Sequence, residues 1–96
     1  MANMFNGCYS LKTLDLRNFD TSKVTDISYM FFNCTSLTTL YLSSFDTSNV
    51  TNMSCVFREC KSLHLNCSLL DVSNVEKHKN FNKHATNVLS PTWTIV

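Results

Sequence analysis

Apolar residues along this chain follow two alternating rhythms. In SLKTLDLRNF, from Ser10 to Phe19, Leu14 and Leu16 alternate with Thr13, Asp15 and Arg17, the period of a half-buried strand. SLTTLYLSSF, from Ser36, repeats the pattern with Leu40 and Leu42 inward and Thr39, Tyr41 and Ser43 outward. SLHLNCSLL, from Ser62, fits only if one residue is dropped, which puts Leu65 and Cys67 inside and His64, Asn66 and Ser68 outside. After each strand come a polar turn and a second rhythm. Val24, Ile27, Phe31 and Cys34 fall at spacings of three, four and three, and Val50, Met53, Phe57 and Cys60 repeat them. That spacing predicts one apolar face of a short helix. In the third copy Ser73 and Glu76 form an S-x-x-E pattern, which predicts a capped helix start.

These rhythms recur because the chain is copied. Met4 to Tyr29 aligns without a gap on Met30 to Cys55, and fifteen of the 26 positions are identical. A repeat of this length implies one supersecondary unit stacked on itself, since one unit cannot bury its own apolar face. The expected fold class is an α/β solenoid of about three coils of 25 to 26 residues, each with a short parallel strand and a short helix. The whole of 1–96 reads as one domain: a partial coil at 1–8, coils at about 9–34, 35–60 and 61–82, and a cap at 83–96. In that cap Trp93 and Ile95 share a face of a short strand, Thr92 to Val96, expected to pair with the Leu65 strand and cover an open edge. An opening in mid-unit reads as the start of a fragment of a longer array.

The L-x-x-L-x-L spacing at Leu11, Leu14 and Leu16, and again at Leu37, Leu40 and Leu42, resembles a leucine-rich repeat. The string joining Phe19 to Leu37, FDTSKVTDISYMFFNCTSL, is more specific. It resembles the BspA-like leucine-rich repeats of bacterial and protozoal surface proteins, including a mycoplasma lipoprotein domain of unknown function, over about Met4 to Val75. The resemblance implies a solenoid with a parallel sheet on one face and short helices on the other. It also implies a cell-surface or secreted protein engaged in adhesion to host proteins, other cells or matrix.

Composition narrows the partners. Charged residues are 16% of the chain and the formal net charge is +1, which gives no long-range field to draw in nucleic acid or an anionic membrane. Ser, Thr and Asn make up about a third of the residues, so solubility rests on uncharged polar faces. No run approaches the ~18 apolar residues of a membrane-spanning helix. MANMFNGCYS lacks the parts of a signal peptide, so the chain reads as cytoplasmic if it is the complete product.

Candidate chemistry is sparse. Cys8, Cys34 and Cys60 recur every 26 residues within the apolar stripe and read as a ladder of buried thiols; the competing readings are a disulfide or a metal site. Cys55 and Cys67 have no evident partner. His64, His78 and His84 complete no zinc-ligand spacing, and no nucleophile elbow or phosphate-cradling glycine loop occurs, so neither an enzyme nor a cofactor is expected. Asp20, Asp46 and Asp71 recur at the turn after each strand, where an aspartate accepts from backbone amides.

What remains is the outward strand face: Thr13, Asp15 and Arg17 beside Thr39, Tyr41 and Ser43, and beside His64, Asn66 and Ser68. A grid with one aromatic near its middle suits a protein partner, host or matrix protein included, with Tyr and Arg carrying the energy. The expected function is a non-catalytic protein-binding module using that face. The alternative is a structural fragment of a longer array without activity of its own. Edge-to-edge self-association is the further contact open to it.

Overall fold

The computed structural model describes residues 1–93. Where Leu alternates with polar residues the chain is extended: β1 is Thr13–Asp15, β2 Thr39–Tyr41, β3 Leu65–Asn66 and β4 Val88–Leu89. β1 pairs in parallel with β2, Thr13 opposite Thr39, Leu14 opposite Leu40 and Asp15 opposite Tyr41. β3 pairs in parallel with β4, Leu65 opposite Val88. The two sheets are separate, and β2 does not pair with β3 among the described residues. This corrects the expected α/β solenoid, because the single continuous strand face it requires is broken. The break falls where the third copy is one residue short, and a one-residue slip in a strand reverses which side chains face inward.

The second correction concerns the helices. No described residue is helical. Over the segment expected to be a helix, Met30, Phe32 and Cys34 donate N–H to Ile27, Tyr29 and Phe31 of their own copy, three residues back rather than four. The intervening Ile27, Tyr29, Phe31 and Asn33 donate instead to Asn52, Ser54, Val56 and Arg58 of the next copy, at 3.0 to 3.1 Å. Met53, Cys55, Phe57 and Glu59 do the same to Lys77, Lys79, Phe81 and Lys83. The segment is a run of turns whose alternate amides are spent sideways. Two residues in each copy, four apart, hold positive φ: Tyr29 and Asn33, Cys55 and Glu59, Asn80 and His84. A right-handed helix admits none of these.

The sequence makes this outcome reasonable. Apart from Met30, the residues of Val24 to Cys34 (Val, Thr, Asp, Ile, Ser, Tyr, Phe, Asn and Cys) are all middling or poor helix formers. An isolated helix of that length is marginal in water. Lateral bonding satisfies the same amides while the spacing of three and four still turns Ile27, Met30, Phe31 and Cys34 inward, all buried. The S-x-x-E pattern likewise caps nothing: the Ser73 amide and hydroxyl both donate to Asp71 Oδ1, at 2.9 and 2.6 Å.

The core is a set of like residues laid side by side. Phe5, Phe31 and Phe57 stack at 5.7 and 5.3 Å between centroids with planes 3° apart, and Phe81 closes on Phe57 edge-on. Leu37 and Leu63 and Met30 and Val56 are fully buried beside them. Polar side chains tie one copy's backbone to the next. Thr21 and Thr47 hydroxyls donate to the carbonyls of Asp46 and Asp71, and the Asn49 and Asn74 amides donate to the carbonyls of Ser22 and Ser48. Each of these bonds gives an otherwise lone carbonyl a partner, which is why so uncharged a chain is so rich in Thr and Asn.

The C-terminal expectation is corrected as well. Beside Leu65 the structure places the strand Val88–Leu89, ahead of the expected Thr92 to Val96. Trp93 lies instead on the His78 ring, 3.9 Å between centroids and 6° from parallel, with Phe81 edge-on to it. Ile95 and the rest of that expected strand lie outside the described residues.

Candidate functional site

The outward residues of the first two strands meet as one platform. Parallel register sets Asp15 beside Tyr41, and Arg17, two residues on, reaches back over both. Its Nε donates to Asp15 Oδ1 at 2.9 Å and its Nη2 to Oδ2 at 2.7 Å, a two-pronged grip, while its backbone N–H also donates to Oδ1. Those donors hold the Asp15 carboxyl down at about 2, and the carboxylate in turn raises the Arg17 guanidinium. The guanidinium carbon stands 4.6 Å from the centre of the Tyr41 ring, within cation–π range. Tyr41 remains 44% exposed. Thr13 and Thr39 lie two register positions back, Thr13 exposed and Thr39 half-buried.

The third row does not join this grid. His64, Asn66 and Ser68 are exposed as expected, but Asn66 belongs to the separate β3–β4 sheet and His64 and Ser68 flank its strand β3. Asn66 folds back on its own strand end, its Oδ1 accepting the Ser68 N–H at 2.9 Å. Where β2 and β3 part, a cleft of about 350 Å³ opens, walled by Leu42, Leu65, Cys67, Leu69 and Leu70, with Ser43 and Asn66 as its polar lining. Ser43 and Asn66 therefore face a cavity rather than a flat sheet. Sequence reasoning placed neither the cleft nor Leu69, which is 96% exposed. The available signal was the missing residue in SLHLNCSLL, which marks the place where sheet pairing fails.

The cysteines are free thiols. Cys34 and Cys60 donate their S–H to the carbonyls of Phe5 and Phe31, and burial pushes their thiols up to about 11 and about 12. Cys67, inside the cleft wall, is pushed up to about 12 by burial alone. Cys55 Sγ approaches the Lys79 carbonyl at 3.6 Å, and the Cys55 thiol is the main cause that raises the Tyr29 phenol. Cys34, Cys60 and Cys67 pack as small hydrophobes and are poor nucleophiles. The aspartates of the turns behave as expected: Asp20, Asp46 and Asp71 each accept the N–H and O–H of the serine two residues on, which lowers all three carboxyls.

Elsewhere, Glu59 accepts from His84 and lies 3.5 Å from Lys61 Nζ, contacts that lower its carboxyl. No group of three His, Cys, Asp or Glu side chains gathers among the described residues. Nor is any described helix long and apolar enough to cross a membrane.

Over residues 1–93 the chain matches the family described as "Mycoplasma protein of unknown function, DUF285". No curated protein and no solved structure matches it. That description names neither binding nor adhesion, so the solenoid, surface and adhesion properties implied by the leucine-rich-repeat resemblance gain nothing from it.

Proposed function

Because the chain belongs to the DUF285 family of mycoplasma proteins, for which no activity is described, we propose from its own surface that it is a non-catalytic protein-binding module. The contact region is the Asp15, Arg17 and Tyr41 platform with the cleft beside it. One observation carries this reading: Arg17 is already fixed by Asp15 against the Tyr41 ring. Arg and Tyr are the side chains that most often dominate protein interfaces. Holding them in place beforehand reduces the entropy lost when a partner docks. The adjoining cleft offers an apolar hollow for one side chain of that partner. The likeness of the Phe19 to Leu37 string to BspA-like surface repeats supports the same reading.

The test is retention of purified matrix and serum proteins on the immobilised chain, compared with an Arg17→Ala, Tyr41→Ala variant of unchanged circular dichroism. The reading expects a protein held by the wild type whose affinity falls tenfold or more, about 1.4 kcal/mol, in the variant. Retention by neither chain, or equal retention by both, counts against it.

A further inference from the structure

The register that stacks the copies also lines up their positions on the turn side. Parallel bridges join Asp26 to Asn52 and Asn52 to Lys77. The carbonyls of Ser28, Ser54 and Lys79 hold equivalent places, accepting from Asn3, Tyr29 and Cys55, and those of Phe32, Arg58 and Lys83 do the same for Gly7, Asn33 and Glu59. Each of these three rows gains positive charge towards the third copy. The net charge of +1 therefore conceals an uneven surface. Lys77, Lys79 and Lys83 are tied in through their backbones, and all three are exposed. Among the described residues no carboxylate pairs with them, since Glu59 is taken up by His84, Lys61 and Arg58. The other acids of this half of the chain are Glu76, which is exposed, and Asp71, which its own turn occupies. Arg58 Nε is buried and donates to no acceptor among the described residues.

We propose that the patch formed by Arg58, Lys77, Lys79 and Lys83 binds an acidic polysaccharide, a sugar chain bearing sulfate or carboxylate groups along its length. Charge complementarity selects an anion, because the three lysines stand without acids of their own. Laterally bonded rows lie about 5 Å apart, so the cations form a tract rather than a point, which suits a polymer over a single ion. The surroundings choose among polymers. Single-stranded nucleic acid needs free rings for its bases to stack on. Here the rings are engaged: His78 lies on Trp93, and Phe32 has Arg58 over it and Tyr29 edge-on. A duplex is read by an element that enters its groove, most often a helix, and no described residue is helical. Between Lys79 and Lys83 stand Asn80 and Asn82, half-buried amides whose oxygens can accept from sugar hydroxyls. No residue of the Asp15, Arg17 and Tyr41 platform takes part, so this inference stands or falls apart from the proposed protein contact.

Calorimetric titration with sulfated dextran, with unsulfated dextran and with single-stranded oligothymidylate of matched charge tests it on three chains. These are the wild type, a Lys79→Gln, Lys83→Gln variant, and a Lys12→Gln, Lys23→Gln variant that loses the same charge from exposed sites in the first copy. The wild type should bind sulfated dextran and not the unsulfated chain. Its affinity should fall about tenfold or more as salt rises from about 0.05 to 0.2 M. Lys79→Gln, Lys83→Gln should weaken binding about tenfold or more with unchanged circular dichroism, and Lys12→Gln, Lys23→Gln by about twofold or less. No binding of sulfated dextran at low salt overturns the proposal. So does an equal loss in the two variants, which would make net charge the cause, or tighter binding of oligothymidylate, which would assign the patch to nucleic acid.

Discussion

Removing one ring from the middle of the phenylalanine column is the sharpest test of what holds the copies together. Phe31 is 1% exposed and stacks on both sides, against Phe5 at 5.7 Å and Phe57 at 5.3 Å. Truncation to alanine removes a buried aromatic, a loss of about 3–5 kcal/mol. A chain of this length holds about 5–14 kcal/mol in all, so Phe31→Ala should remove about a fifth or more of its stability. Phe31→Leu keeps much of the volume and isolates the stacking. With two aromatic pairs at about 0.5–1.5 kcal/mol each, it should cost about 1–3 kcal/mol. Urea unfolding followed by the fluorescence of Trp93 and by circular dichroism measures both. The cycle of Phe31→Leu with Phe57→Leu then extracts the coupling of one stacked pair, expected at about 0.5–1.5 kcal/mol. A coupling indistinguishable from zero, with Phe31→Leu no worse than a surface change, would refute the column as a source of stability.

Gly7 holds φ 75 at the place where Asn33, Glu59 and His84 hold similar angles, and an added Cβ would meet only the Tyr9 ring at 3.7 Å. Gly7→Ala should therefore cost about 1–2 kcal/mol in urea unfolding, from backbone strain alone. Thr21 is buried, donates to the Asp46 carbonyl and accepts the Asp46 N–H at 2.8 Å. Thr21→Val leaves both groups unpartnered and should cost about 1–3 kcal/mol in the same assay. Asp15, Asp20, Asp46 and Asp71 all titrate below their unfolded value of 3.8, so their contribution is fully present above that pH. It is lost as pH falls from 3.8 towards about 2, and the urea midpoint should drop across that window, less steeply in Asp46→Asn. A thiol reagent at neutral pH should leave Cys34, Cys60 and Cys67 unmodified in the native chain and reach all five cysteines in urea.

The interior of this protein was legible in its sequence more completely than its backbone. Leu16, Leu37, Leu40, Met53, Phe57 and Cys60 are buried where the apolar rhythm put them. The spacing that identified Ile27, Phe31 and Cys34 as inward is shared by a helix and by a run of three-residue turns, so periodicity could not separate the two. What decided between them was the neighbour: amides that a helix would bond internally are taken up by the next copy. Register was legible for β1 and β2, where the copies match without a gap. It was not legible for β3, where one absent residue split the sheet and turned part of the expected grid, Ser43 and Asn66, into the lining of a cleft. The Arg17 grip on Asp15 and Tyr41 depends on side chains from two copies, and a pattern read along one copy does not contain it.

The sideways bonding of alternate amides also sets how this chain can reach its native state. Ile27 must find Asn52, and Met53 must find Lys77, so each such bond closes a loop of about a quarter of the chain. A helix could form within one copy before its neighbour arrived; these turns have no such head start, because half their amides have no partner until then. Separation on that scale belongs with the non-local topologies that fold in milliseconds to seconds rather than microseconds. An unfinished copy meanwhile exposes both an apolar stripe and a row of free amides, the two features that draw unfolded chains together.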